Sequence, residues 1–149
     1  MEEERGTRPN RFNVLIADDF DVERACYRRY LSRLKSYHYD FSEAETGVET
    51  IFFCGRFSID VVLLDYSLPD CEAPVLIRQI ALMGKSPLTI VTIDDCQAVR
   101  KKAAKAIRAG AQACLIKERI TPENLQATIV QAIAKRSAYQ LRQQLAPAL

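Results

Sequence analysis

Short apolar runs in this chain end on polar residues that could act together. Asp18 and Asp19 close the run 12–17, Asp65 closes 59–64, Thr92 ends 88–92 and Lys117 closes 113–116. If those runs are neighbouring strands, three carboxylates, a hydroxyl and an ammonium meet at one edge of a sheet. Carboxylates so crowded repel one another unless a cation neutralises them. An all-oxygen ligand set points to magnesium, with manganese as a substitute, since both are hard ions suited to carboxylate and water. A carboxylate beside such an ion can attack a phosphoryl group and form an acyl phosphate. The ion and the lysine would balance the charge of that group, and the threonine hydroxyl would donate to one of its oxygens. Positioning and electrostatics supply nearly all that phosphoryl transfer requires.

The elements that must position these residues alternate along the chain. The run 12–17 reads as a buried strand, and 22–35 as a helix with apolar Val22, Cys26, Tyr30 and Leu34 at helical spacing. A weaker strand spans 39–44, Gly47 follows, and a short helix runs through Phe53. The run 59–64 gives the strongest strand signal; Pro69 stops it and Pro74 opens a helix to about Met83. A fourth strand covers 88–92, a helix covers 95–109 and ends at Gly110, and a fifth strand covers 113–116. Thr121 then caps a last helix, with Pro122 at its first position and Glu123 facing the dipole, that runs to about Leu145. Apolar strands separated by helices imply a parallel sheet covered on both faces, whose ligands bind beyond the carboxyl ends of the strands.

Composition narrows the class. The 149 residues suit a single domain, 48% hydrophobic and 27% charged, with a formal net charge of +2. No basic stripe predicts nucleic-acid binding; Arg100, Lys101, Lys102, Lys105 and Arg108 read as the wet face of one helix. The five cysteines, Cys26, Cys54, Cys71, Cys96 and Cys114, are scattered and odd in number, which predicts a reducing compartment. The start of the chain is too polar for a signal peptide, and no apolar run is long enough to span a membrane. The expectation is a cytoplasmic protein.

The segments Val14-Leu-Ile-Ala-Asp-Asp19, Ser42-Glu-Ala-Glu-Thr-Gly47, Val61-Val-Leu-Leu-Asp65 with Leu68-Pro69-Asp70, Pro87-Leu-Thr-Ile-Val-Thr92 and Ala109-Gly-Ala-Gln-Ala-Cys-Leu-Ile-Lys117 resemble the response-regulator receiver family. Coverage runs over about 12–135, leaving 1–11 as a flexible segment and 136–149 as a helical extension or linker. The resemblance implies a flavodoxin-like (βα)5 three-layer α/β sandwich, a five-stranded parallel sheet of order 2-1-3-4-5 with an extended C-terminal helix. It implies that Asp65 is the phosphoacceptor of a two-component phosphorelay. Asp19 would bind magnesium directly, Asp18 through water or a hydrogen bond, and Asp65 and the Ser67 backbone carbonyl would complete the protein ligands. Thr92 and Lys117 would bind the phosphoryl group, and Ser67 and Asp94 would tune its lifetime. The donor would be a sensor histidine kinase or a phosphotransfer protein.

Several positions depart from the family pattern. Ile93 stands where a small residue is usual and is expected to narrow access to the acyl phosphate. Cys114 replaces the usual aromatic of the switch. Glu118 replaces a proline, so the bond after Lys117 is expected to be trans, since a non-proline cis bond costs about 3–4 kcal/mol. Ala73 stands where glycine is common. The tail residues Ala134, Ala138, Leu141, Leu145 and Ala148 keep a coiled-coil spacing over about two heptads, which would suit a connector to an output, sensor or kinase module or to a second copy. The family's usual interaction surface, the fourth helix, fifth strand and fifth helix, carries Lys101, Lys105 and Arg108. Lone His38 reads as an exposed residue with no part in phosphotransfer.

Two other readings compete. A pseudo-receiver would keep the fold and bind partners without being phosphorylated, yet every key position is filled. A small phosphatase of the haloacid dehalogenase type would fit Asp19-Phe-Asp21, but Glu23 and the late lysine depart from that family's order.

Overall fold

A computed structural model describes residues 10–33 and 37–145. Five strands form one parallel sheet: β1 (Arg11–Ala17), β2 (His38–Ala44), β3 (Val61–Asp65), β4 (Leu88–Ile93) and β5 (Ala113–Ile116). Their order is β2-β1-β3-β4-β5, so the direction of strand progression reverses beside β1. Between them run helices α1 (Asp21–Arg33), α2 (Gly47–Arg56), α3 (Ala73–Leu82) and α4 (Val99–Ala109), and α5 (Pro122–Leu145) follows β5. This is the flavodoxin-like sandwich that the resemblance implied, and the parallel sheet covered on both faces that the alternation implied.

The sheet separates two apolar cores because its central strands are buried on both faces. Leu15, Val62, Leu64, Val91 and Ile93 face Leu76, Ile77 and Ala106 of α3 and α4. Val14, Ile16, Leu63 and Ile90 face Tyr27 and Leu31 of α1 and Leu125 and Ile129 of α5. Such continuous burial gives β3 and β4 their unbroken apolar sequences. Each side chain of Leu or Ile size so buried stabilises the fold by about 1.5–3 kcal/mol.

Local signals set several boundaries. Thr46 caps α2 by accepting from the Glu49 amide at 3.1 Å, while the Glu49 side chain accepts from the Glu45 amide at 2.9 Å. Pro74 sits in the first turn of α3, and Gly110, at a φ of 127°, ends α4. Thr121 and Asn124 exchange side-chain-to-amide bonds at the start of α5.

Four expectations are corrected. The inward stripe of α1 is Arg24, Tyr27 and Leu31, whereas Val22 is exposed and Leu34 and Lys35 lie outside the described residues. Arg24 is buried, with the Asp18 carbonyl and Glu43 as its partners. Helix α4 begins at Val99 rather than at Asp95, whose amide donates to Glu118 in the loop before it. Strand β3 begins at Val61: the Asp60 carboxylate accepts from the Asn13 amide at 2.7 Å and so serves as a plug at the sheet's lower edge. Arg11 already belongs to β1 and pairs with Asp40, so the strand starts inside the segment expected to be flexible.

Helix α5 continues without a break through residue 135, and its side chains are exposed from Ser137 to Leu145. Ala134, Ala138, Leu141 and Leu145 of the heptad-like stripe therefore face solvent, and Ala148 lies outside the described residues. His38 is exposed on the edge strand β2, away from the carboxyl ends.

Candidate functional site

The carboxyl ends of β1, β3, β4 and β5 bring the chemistry-bearing residues together. Asp18 and Asp19 follow β1, Asp65 is the last residue of β3, Thr92 lies beside it on β4 (Asp65 pairs with Thr92), and Lys117 follows β5. Ligand oxygens of Asp18, Asp19 and Asp65 all lie within 4.8 Å of one another. Asp18 and Asp65 are buried, and Asp19 is exposed at the mouth.

Each group is fixed from its own side. The Asp18 amide donates to the Ala44 carbonyl at 3.0 Å, and its carboxylate accepts from the Phe20 amide at 2.9 Å. Arg24 reaches back from α1 to the Asp18 carbonyl at 2.7 Å and to Glu43 at 3.1 Å, clamping the β1–α1 turn against β2. Asp65 accepts from the Ser67 amide at 3.2 Å. A small hairpin, Ser67–Leu68 against Cys71–Glu72, then carries the chain to α3. Asp70 at its turn accepts from the Gly47 and Val48 amides at 2.7 and 3.1 Å, tying the hairpin to the start of α2. A Cβ at Gly47 would stand 3.1 Å from Cys71 Cβ and 3.2 Å from Asp70 Oδ1, so a side chain there would press on both.

Lys117 Nζ lies 3.1 Å from Asp65, 3.4 Å from Asp18 and 2.7 Å from Glu23, with its side chain 7% exposed. Burial alone would lower its pKa, but Glu23, Asp65 and Asp18 outweigh that and hold it well above the usual lysine value. Burial pushes Asp18 up to about 8, helped by a hydrogen bond shared with Glu23 and opposed by the Phe20 amide and Lys117. Asp65 is also raised, by burial against the lowering pull of Lys117. Glu23 moves the other way: burial raises it, but its bonds with Asp18 and Lys117 win.

The hydroxyl of Thr92 is buried and has no hydrogen-bond partner. Such orphan groups are uncommon in protein interiors and call for a partner. The phenol of Tyr27, which burial and the Glu23 charge raise, lies beside it outside good hydrogen-bonding geometry.

The positions that depart from the family pattern are placed as follows. Ile93 is 1% exposed and packs in the core against the α3–α4 side, so its bulk is not on the pocket rim as expected. Cys114 is half-buried on the same side, its sulfur 3.9 Å from the Ala103 carbonyl of α4. Asp94 and Ser67 are exposed. No cis peptide bond occurs among the described residues, so the bond after Lys117 is trans. Residues Lys117–Arg119 form a 3-10 turn there, and Glu118 accepts from the Asp95 amide at 2.9 Å, joining the loops after β4 and β5. Asp21, the second acid of the phosphatase-like motif, is exposed and outside the acid cluster. Glu23 is the site residue that sequence reasoning missed. Its signal was a helical one: it shares a face of α1 with Tyr27, one turn later.

A doubly wound sheet with an acid cluster and a lysine at its switch point defines the CheY-like receiver class. The family model of the response regulator receiver domain matches residues 14–130, and this chain belongs to that family. Response regulator UvrY of Escherichia coli K12 is 36% identical over 69 residues, covering 46% of this chain and 31% of UvrY. Sensor protein EvgS of the same organism is 28% identical over 112 residues, 74% of this chain but 9% of EvgS. The chain thus spans only a minor part of these relatives. Among solved structures, the signal receiver domain of an HD domain-containing protein from Pseudomonas fluorescens superposes with a TM-score of 0.75 at 23% identity, covering 91% of this chain and 96% of that one. The receiver domain of a sensor histidine kinase from Pseudomonas aeruginosa, with magnesium in its active-site cleft, gives 0.68 at 19% identity, covering 83% and 98%.

Proposed function

We propose that this chain is a phosphoacceptor receiver of a two-component phosphorelay, with Asp65 as the phosphorylated residue. The observation that supports it most is the juxtaposition at Asp65: carboxylates of Asp18 and Asp19 within 4.8 Å, Lys117 at 3.1 Å and the orphan Thr92 hydroxyl alongside. The donor set fits magnesium, with manganese as a substitute, because it is all oxygen and partly open to water. Asp18, Asp19, Asp65 and the Ser67 carbonyl would hold the ion, which when bound neutralises the carboxylates and the incoming phosphoryl oxygens.

The chain's own residues do the rest. A carboxylate oxygen of Asp65 attacks phosphorus, and the phosphorus–nitrogen bond of a phosphohistidine donor breaks, its electron pair staying on the imidazole. Lys117 pairs with a phosphoryl oxygen, and Thr92 donates its hydroxyl proton to another. The Ser67 amide keeps Asp65 aimed. Exposed Asp94 and Ser67 flank the mouth, where a hydrolytic water would enter, and so tune the lifetime of the acyl phosphate. Cys114 offers no aromatic ring to follow Thr92, so output runs through packing of Ile93 and α4 instead.

The donor is a sensor histidine kinase or phosphotransfer protein, and the chain accepts a phosphoryl group rather than turning over a substrate. Residues 12–135 act as the receiver unit in the cytoplasm, and 136–149 extend α5 as a connector to an output, sensor or kinase module or to a second copy. Neither nucleic acid nor a membrane is among the partners in this reading. The exposed row Lys101, Lys105 and Arg108 on α4 would meet an acidic partner or a second copy.

The test is intact mass after incubation with magnesium and acetyl phosphate, with Asp65→Asn beside wild type. A magnesium-dependent phosphate adduct on wild type alone is expected. No adduct, and no change with beryllofluoride, would replace this reading by a pseudo-receiver that acts only by binding.

A further inference from the structure

The shortest contact of the Lys117 ammonium is not with the proposed phosphoacceptor. It is with Glu23, at 2.7 Å, against 3.1 Å to Asp65 and 3.4 Å to Asp18. An ammonium has three N–H donors. Glu23 of α1 and Asp18 of the β1–α1 turn accept hydrogen bonds from two of them, and Asp65 at the end of β3 stands at ion-pair distance. A phosphoryl oxygen on Asp65 therefore meets an ammonium that is already shared among three acids.

The three partners are not equally replaceable. Asp18 and Asp65 are buried, with side chains 1% and 5% exposed, whereas the Glu23 side chain is 32% exposed and can turn to water. The backbone that carries Glu23 cannot retreat, because the next residue, Arg24, is locked to the Asp18 carbonyl and to Glu43. Buried Tyr27 fills the same face one turn further along α1. Glu23 is thus held at the lysine, with only its side chain free to leave.

Charge adds to geometry. Glu23 adds a further acid to the cluster of Asp18, Asp19 and Asp65. Its negative charge increases the pull on a cation and opposes an anionic phosphoryl group.

We propose that Glu23 is an internal counter-ion of Lys117 that competes with the phosphoryl group for the ammonium, holding the receiver in its unphosphorylated state. The inference rests on the phosphoacceptor reading of Asp65. Glu23 is a positioning residue, acting on the reacting group through Lys117. Phosphorylation displaces its carboxylate to solvent, and the dephosphorylated chain recovers the ion pair.

The competition makes opposite demands on two ligands, which a purely structural role would not. Glu23→Gln keeps the shape and removes the charge. Amide NMR shifts follow two titrations of the folded chain, which has no tryptophan to report by fluorescence: magnesium alone, then beryllofluoride at saturating magnesium. Relative to wild type, Glu23→Gln is expected to bind beryllofluoride about fivefold more tightly and magnesium about threefold more weakly. Glu23→Leu should shift both in the same directions, and circular dichroism identifies which variant is folded if one is not. A wild type that fails to bind beryllofluoride while Glu23→Gln binds it supports the inference in its strongest form. A wild type that binds it as tightly as the folded variants overturns the inference and leaves the phosphoacceptor reading standing. Silence from wild type and both variants overturns that reading, and this inference with it.

Discussion

Two cations are buried within reach of Asp18, and they have different fates. Arg24 binds the Asp18 carbonyl, Glu43 and Glu45, all structural partners at the ends of β1 and β2. Its planar donors are spread over fixed acceptors, so it fastens the β1–α1 turn. Lys117 meets Asp18, Asp65 and Glu23, carboxylates that also face the open end of the sheet. Its single ammonium can exchange partners when an anion arrives. Burial of a cation among acids therefore does not by itself mark a functional site; what matters is whether the acids have another use.

The largest effect is expected at Asp65. Asp65→Asn should abolish the phosphate adduct, read by intact mass, and raise the melting temperature, because one member of a repelling acid cluster becomes neutral. Next come the two cations. Arg24→Ala should cost about 3 kcal/mol in chemical denaturation, because Glu43 and the Asp18 carbonyl lose a buried partner. Magnesium should not repair that loss. Lys117→Ala should be destabilising in metal-free buffer by about 2 kcal/mol, and there magnesium should restore much of the stability, since the ion replaces the missing positive charge. If magnesium rescued both variants equally, the distinction between a structural and an exchangeable cation would fall.

A smaller effect follows from pH. Asp18, held up at about 8 by burial, keeps its proton in the metal-free protein well above the unfolded carboxylate range. The native state then binds more protons than the unfolded state, so metal-free stability should fall as pH rises towards about 8. Magnesium must displace that proton, so its affinity should rise over the same window and level off above it. An affinity independent of pH between about 6 and 8 would show Asp18 already ionised. Gly47→Ala should cost about 1 kcal/mol by pressing on Cys71 and Asp70 while leaving the Lys117 cluster alone. The smallest effect is expected on α4: reversing Lys101, Lys105 and Arg108 should leave stability within about 0.5 kcal/mol and weaken association with an acidic partner or second copy. Unchanged association on gel filtration and kinase binding would remove that surface from the proposal.

Much of this was legible along the chain. The apolar runs of β1, β3, β4 and β5 announce buried parallel strands, and the residue behind each run must stand at the sheet's carboxyl edge. Asp18, Asp19, Asp65, Thr92 and Lys117 could be found this way because strand period and topology are local and regular. The capping of α5 by Thr121 and the stop at Gly110 were equally local signals.

Other features were settled only by packing. The sequence pattern did not assign Glu23 or Arg24 to the site. Their placement depends on the rotation of α1, which is set by how Tyr27 and Leu31 pack against the sheet. Ile93 read as a gatekeeper, but the pleat of β4 directs it into the core. Glu118 acquires its role from the Asp95 amide, which another loop brings beside it. The sequence by itself determined the strands, their ends and the residue types available for chemistry. Which carboxylate holds the lysine was decided by the tertiary structure, because an ion pair depends on distances between residues far apart in the chain.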